Sequence, residues 1–150
     1  MCIICTMATP SDPAIHNYIE PMNATFTETV DAADNTSTTY TMSVGDTFEG
    51  TIADTNDEDW VAINLTAGNT YTIDLQGGSG GGSLNNPFVG LYDSSGNWLS
   101  QEDGFGTNSV SLTYTANESG TYYIEADAFD SETGTYELSA TEAESAPVAT

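Results

Sequence analysis

Lysine and arginine are absent from this 150-residue chain, whereas aspartate and glutamate together number 23. No carboxylate can be neutralised by a lysine or arginine of its own chain, so nearly all of the counter-charge must come from solution. A formal charge of -23 repels nucleic acid phosphates and anionic lipid headgroups, and neither nucleic acid nor membrane is expected as a partner. Self-repulsion also disfavours a compact state unless cations screen or bind it. Cysteine is scarce: Cys2 and Cys5 stand at the extreme N-terminus, and His16 is the one histidine. Four zinc ligands cannot be assembled from these alone. A Ser-His-Asp or Cys-His constellation would depend on the same N-terminal stretch, so the chain is expected not to be an enzyme. No apolar run approaches the ~18 residues of a membrane-spanning helix. Residues 1–8 lack the basic flank and the apolar length of a Sec signal peptide.

What the chain does have is 38% hydrophobic residues, including eight Tyr, five Phe and two Trp. That content argues for one folded domain rather than disorder. Residues 1–30 hold Pro10, Pro13 and Pro21 and show no steady period, which reads as a leader or linker. From Tyr40 onward, apolar and polar residues alternate in short runs broken by Gly, Asn, Asp and Ser. This pattern predicts an all-β fold, a jelly-roll-like antiparallel β sandwich of eight or nine strands spanning residues 31–140. Val61, Ile63 and Leu65, the turn Ala67-Gly68-Asn69, and Tyr71, Ile73 and Leu75 read as a hairpin. Gly77 to Asn86, with five glycines and two serines, reads as a flexible loop that does not pack. Residues 141–150 read as a C-terminal linker.

Four phrases stand in order along these strands: VGDTFEGTI, DEDWVAINLTAGNTYTIDL, PFVGLYDSSGNWL and SGTYYIEADAFDSETGTYELS. Together they resemble the bacterial pre-peptidase C-terminal domain family, small β sandwiches attached to secreted proteases and other exoenzymes. The Met-Cys-x-x-Cys start and the Pro-containing leader resemble the N-terminus of serralysin-like metalloproteases. This resemblance implies a secreted protein exported without a Sec signal, through a type I exporter that reads a C-terminal signal. It also implies a parent protein whose catalytic domain would be the partner of a monomeric accessory domain. The chain itself contains no H-E-x-x-H and no G-G-x-G-x-D repeat, so the catalytic chemistry is expected elsewhere.

The densest acidic cluster is Asp54-Thr55-Asn56-Asp57-Glu58-Asp59, directly before Trp60. Closely spaced carboxylates and an amide carbonyl suit Ca²⁺, which takes six to eight oxygens, although the spacing is not that of an EF-hand. Similar domains of collagenases bind calcium through this loop together with the segment leading into the sandwich. The resemblance thus implies a calcium site formed by Asp54, Asp57 and Asp59 with Asp31, Asp34 and Asn35. A solvated loop is the alternative, as is salt adaptation with no specific metal. Secondary acidic groups are Asp93 with Glu102 and Asp103, and Asp127 with Asp130. Among the aromatics, most are read as strand packing. Trp98 and Phe105, beside turns, are the candidates to contact a protein or polysaccharide substrate.

Overall fold

A computed structural model describes residues 23–77 and 83–143, and every structural statement below concerns these residues. Ten strands form: β1 (Thr25–Thr27), β2 (Thr41–Met42), β3 (Thr47–Ile52), β4 (Asp59–Leu65), β5 (Thr70–Gly77), β6 (Pro87–Tyr92), β7 (Trp98–Asp103), β8 (Ser109–Thr115), β9 (Gly120–Ala128) and β10 (Gly134–Glu142). They build two five-stranded sheets, ordered β2-β4-β9-β6-β7 and β1-β3-β10-β5-β8. All pairings are antiparallel except two at the edges, β1 with β3 and β2 with β4. The expected all-β sandwich is therefore present, with ten strands where eight or nine are read from the sequence. The added strand is β1, which lies inside the stretch assigned to the leader; the last strand runs to Glu142, past the expected boundary at 140. Three residues with little apolar period are too short a signal to recognise before their partner strand is known.

Strict alternation creates the two layers. On β5, Tyr71, Ile73 and Leu75 are buried while Thr70, Thr72 and Asp74 are not. On β4, Val61, Ile63 and Leu65 enter the same core from the opposite sheet. The predicted hairpin between these two runs is thus corrected. The turn at Gly68, with φ of +88°, carries the chain across the sandwich instead of back along one sheet. Alternation says which side chains face a core but not which sheet bears them. A true hairpin does join β6 to β7. Otherwise successive strands change sheets, the wrapping of a jelly roll.

The core is closed by large side chains that are fully buried, among them Phe48, Tyr71, Tyr136, Leu75 and Ile124. Each contributes about 1.5–3 kcal/mol by leaving water, and truncating one, as in Ile73→Ala, costs about 2–5 kcal/mol. Leu84 belongs to this core with no exposed surface, and Ser83 bridges to Thr135. The end of the glycine-rich segment therefore packs, contrary to the loop expected over Gly77 to Asn86. An isolated leucine among polar residues carries no period, so its burial is a tertiary outcome. No helix occurs among the described residues.

Candidate functional site

The segment leading into the sandwich is folded against the acidic loop by a small set of hydrogen bonds. Glu28 accepts the Thr51 N–H at 2.9 Å and the Ala32 N–H at 2.8 Å through its two oxygens. The Tyr40 hydroxyl donates to the Val30 carbonyl at 2.7 Å and accepts from the Thr29 and Val30 N–H groups at 2.9 Å. The Trp60 N–H donates to the Ala33 carbonyl at 3.1 Å. Within the loop, Asp57 accepts the Ala53 N–H at 2.7 Å and Asp54 accepts the Asn56 N–H at 3.0 Å. The result is a cavity of about 390 Å³ lined by Asp31, Asp34, Asp54, Asn56, Asp57 and Glu58, together with Ala32 and Ala33. Asn35 does not line it; its amide is used locally, accepting the Ser37 N–H and donating to Asp34.

At the inner side, Glu28, Asp31 and Asp59 each place a carboxylate oxygen within 4.8 Å of the others. Asp59 is the first residue of β4 and is fully buried. One of its oxygens, Oδ2, accepts the Tyr136 hydroxyl at 2.6 Å. Tyr136 stands on β10 in the other sheet, so this bond ties the two layers together. The other oxygen, Oδ1, has no hydrogen-bond partner. A buried acceptor left without a donor is costly, and in a chain without lysine or arginine a proton or a cation from solution can remedy it. Burial pushes the Asp59 carboxyl up to about 8, against the opposing effect of the Tyr136 hydrogen bond. Asp57 is raised as well, first by burial and then by Asp31, Glu28 and Asp54 around it. All available donors are oxygens, the chemistry of a hard cation. The clustered acids can thus hold a metal ion.

A second cluster lies on the outer face of the same sheet. Oxygens of Glu58, Glu125 and Asp127 come within 4.8 Å of one another. Glu125 is 4% exposed even though its neighbours Ile124 and Ala126 take the core side. Gly90, its register partner on β6, leaves the space that its side chain fills. The Tyr92 hydroxyl donates to Glu125 Oε1 at 2.9 Å. Trp60 on β4 and Tyr92 on β6 stack at 4.1 Å, and since β9 lies between their strands, the rings meet above Glu125. Burial raises Glu125, with Glu58 adding to it, and burial raises Asp127 to about 6. Glu125 satisfies Tyr92, unlike Asp59 with its orphaned oxygen.

Of the residues singled out from the sequence, Asp31, Asp34, Asp54 and Asp57 meet around one cavity, and Asp59 meets Asp31 at its base. Glu58, part of the acidic loop read from the sequence, lines the same cavity, whereas Glu28 and Glu125 are not among the residues the sequence singles out. Glu28 falls only three residues before Asp31, a spacing that could have extended the leading acidic segment. Glu125 sits at a polar position of an alternating strand and gives no such signal. Trp98 and Phe105 are exposed at 57% and 64%; the Trp98 indole donates to Gln101 at 3.0 Å. Of the secondary acids, Asp93 accepts the Ser95 and Asn97 N–H groups and Asp103 accepts that of Phe105, while Asp127 belongs to the second cluster. His16, Cys2 and Cys5 lie outside the described residues.

The model of the bacterial pre-peptidase C-terminal domain matches residues 57–128, from the acidic loop through β9. The fold is similar to the pre-peptidase C-terminal domain of a collagenase from Bacillus anthracis, with a TM-score of 0.55 and 20% identity over 68% of this chain and 93% of that one. It is also similar to PliG of Aeromonas hydrophila, a periplasmic inhibitor of g-type lysozyme, with a TM-score of 0.50 and 17% identity over 69% of this chain and 96% of that one. Both are likenesses of fold. No curated protein gives a significant match to the chain. Residues 57–128 thus match the bacterial pre-peptidase C-terminal domain family, and the sandwich built around them has the fold of such a domain.

Proposed function

We propose that this chain is a non-catalytic accessory domain of a secreted bacterial enzyme and that calcium locks its fold outside the cell. The observation that carries the reading is the orphaned, buried Oδ1 of Asp59 at the base of the Glu28, Asp31 and Asp59 cluster. Calcium suits an all-oxygen set supplied by two chain segments, with Asp57 and the more exposed Asp31 completing the shell. Where calcium is scarce, as in a cytoplasm, the acids repel one another and the leading segment stays loose. Where it is abundant, neutralisation docks that segment onto β4 and stabilises the sandwich. The parent suggested by the N-terminal phrases is a serralysin-like metallopeptidase, whose catalytic domain would be the partner.

The test is a thermal melt in EDTA, in millimolar CaCl₂ and in NaCl of matched ionic strength. A rise of several degrees specific to calcium, lost in Asp59→Asn, supports the reading; equal melting in calcium and NaCl refutes it. The exposure of Trp98 and Phe105 supports a second role, holding a protein or polysaccharide substrate. Retention on insoluble collagen, chitin or cellulose that disappears in Trp98→Ala would establish it.

A further inference from the structure

The end of the sandwich opposite the acidic site carries a second, chemically different cavity. Along β9, Ala126 faces Asp59 and Gly120 faces Leu65, so the two ends are separated by about 20 Å of strand. There, a cavity of about 350 Å³ opens between the β6–β7 turn and the β8–β9 turn. Leu99 and Tyr114, both partly buried against the core, form its apolar lining. The Tyr114 ring is steadied edge-on by Tyr122 at 6.1 Å.

Both rims are held by their own hydrogen bonds. Asp93 accepts two N–H groups at 2.9 Å and the Asn97 side-chain amide at 3.2 Å, which uses both of its oxygens. Opposite it, the Tyr122 hydroxyl donates to the Glu118 carbonyl at 2.8 Å and accepts the Glu118 N–H at 3.3 Å. With the turns braced this way, the side chains of Ser94, Ser95, Asn117, Glu118 and the Tyr114 hydroxyl have no hydrogen-bond partner among the described residues. Hydroxyl, amide and carboxylate groups thus converge around an apolar floor in a site that needs little ordering to bind.

The charges narrow the ligand. Two carboxylates and no base repel an anion. Asp93 is already engaged, so Glu118 is the one free carboxylate, too few for a hard cation that takes six to eight oxygens. An uncharged ring with an apolar face and a hydroxyl rim fits both the floor and the walls. The volume is at the small end of the ~300–1,000 Å³ typical of ligand pockets, which suits a short sugar segment. We infer that the cavity between the β6–β7 and β8–β9 turns binds an uncharged pyranoside unit of a polysaccharide. None of the acidic-loop residues, nor Trp98 nor Phe105, lines this cavity.

Saturation-transfer NMR on the full chain in millimolar calcium, with cellotriose and with chitotriose as probes, tests the inference. At least one probe should receive saturation, and amide shifts should concentrate at Ser94, Asn117 and Glu118. The double variant Asn117→Ala/Glu118→Ala should weaken binding about tenfold or more with the melting temperature unchanged, and Tyr114→Phe should weaken it less because the ring remains. Absence of transfer from both probes would overturn the assignment. So would binding that survives the double variant and is lost in Trp98→Ala.

Discussion

Replacing Tyr136 with phenylalanine removes one oxygen atom and leaves the ring, so its consequence can be worked from a single bond. The Tyr136 hydroxyl and Asp59 Oδ2 are 2.6 Å apart, and both residues are buried. Losing the bond forfeits about 1–3 kcal/mol, the larger figure applying when the carboxylate is charged. Asp59 is then left with both oxygens unpartnered, since Oδ1 has no donor at the outset. A loss of about 2 kcal/mol in a domain of this size lowers the melting temperature by roughly 6–8 °C. Circular dichroism melts at pH 7, in EDTA and in millimolar CaCl₂, measure it. Because Tyr136 also aims Asp59, the stabilisation gained from calcium should shrink in the variant. A fall of less than about 2 °C in both buffers would show that the inter-sheet bond contributes nothing, and would undo the argument that Asp59 couples the cation site to the core.

In EDTA, stability should fall as pH rises. Asp59 holds its proton in the folded chain up to about 8, but loses it near ~4 when unfolded; its contribution is therefore complete below ~4 and is lost as pH climbs through the folded value. Asp127, raised to about 6, acts in the same direction over the lower part of that range. Melts from pH 5 to pH 8.5 that are flat or rising would contradict these shifts, and calcium should flatten the profile by replacing the proton on Asp59. Gly50→Ala should destabilise by about 1–3 kcal/mol, because a Cβ there meets the ring and hydroxyl of Tyr136; an unchanged urea midpoint would show that the ring yields freely. Trp98→Ala, at an exposed edge strand, should change stability by no more than about 0.5 kcal/mol, whereas Trp60→Ala should cost about 3–5 kcal/mol. Chemical denaturation of the two variants side by side distinguishes these sites.

The acidic site was legible in the sequence to the extent that it is local. Asp54, Asp57 and Asp59 are close because they are neighbours in one loop, and the resemblance supplied the approach of Asp31 and Asp34. The inner ligand candidate Glu28, the part played by Glu125, and the meeting of Glu125 with Glu58 and Asp127 were not legible. Their meeting depends on a hydrogen bond from Thr51 to Glu28 and on a register that sets Glu125 beside Gly90 and Trp60.

The chain's own residues determined that it would be acidic throughout and that its second half would alternate into strands around one core. They also determined that counter-charge would have to come from outside, since these properties follow from composition and a period of two. Only the tertiary structure decided which strands share a sheet, that Leu84 enters the core, and that Asp59 would be buried with one oxygen unpartnered. The reason is physical: alternation assigns each side chain to a face, whereas pairing, burial and the orphaning of a polar atom depend on which distant segment is packed against that face.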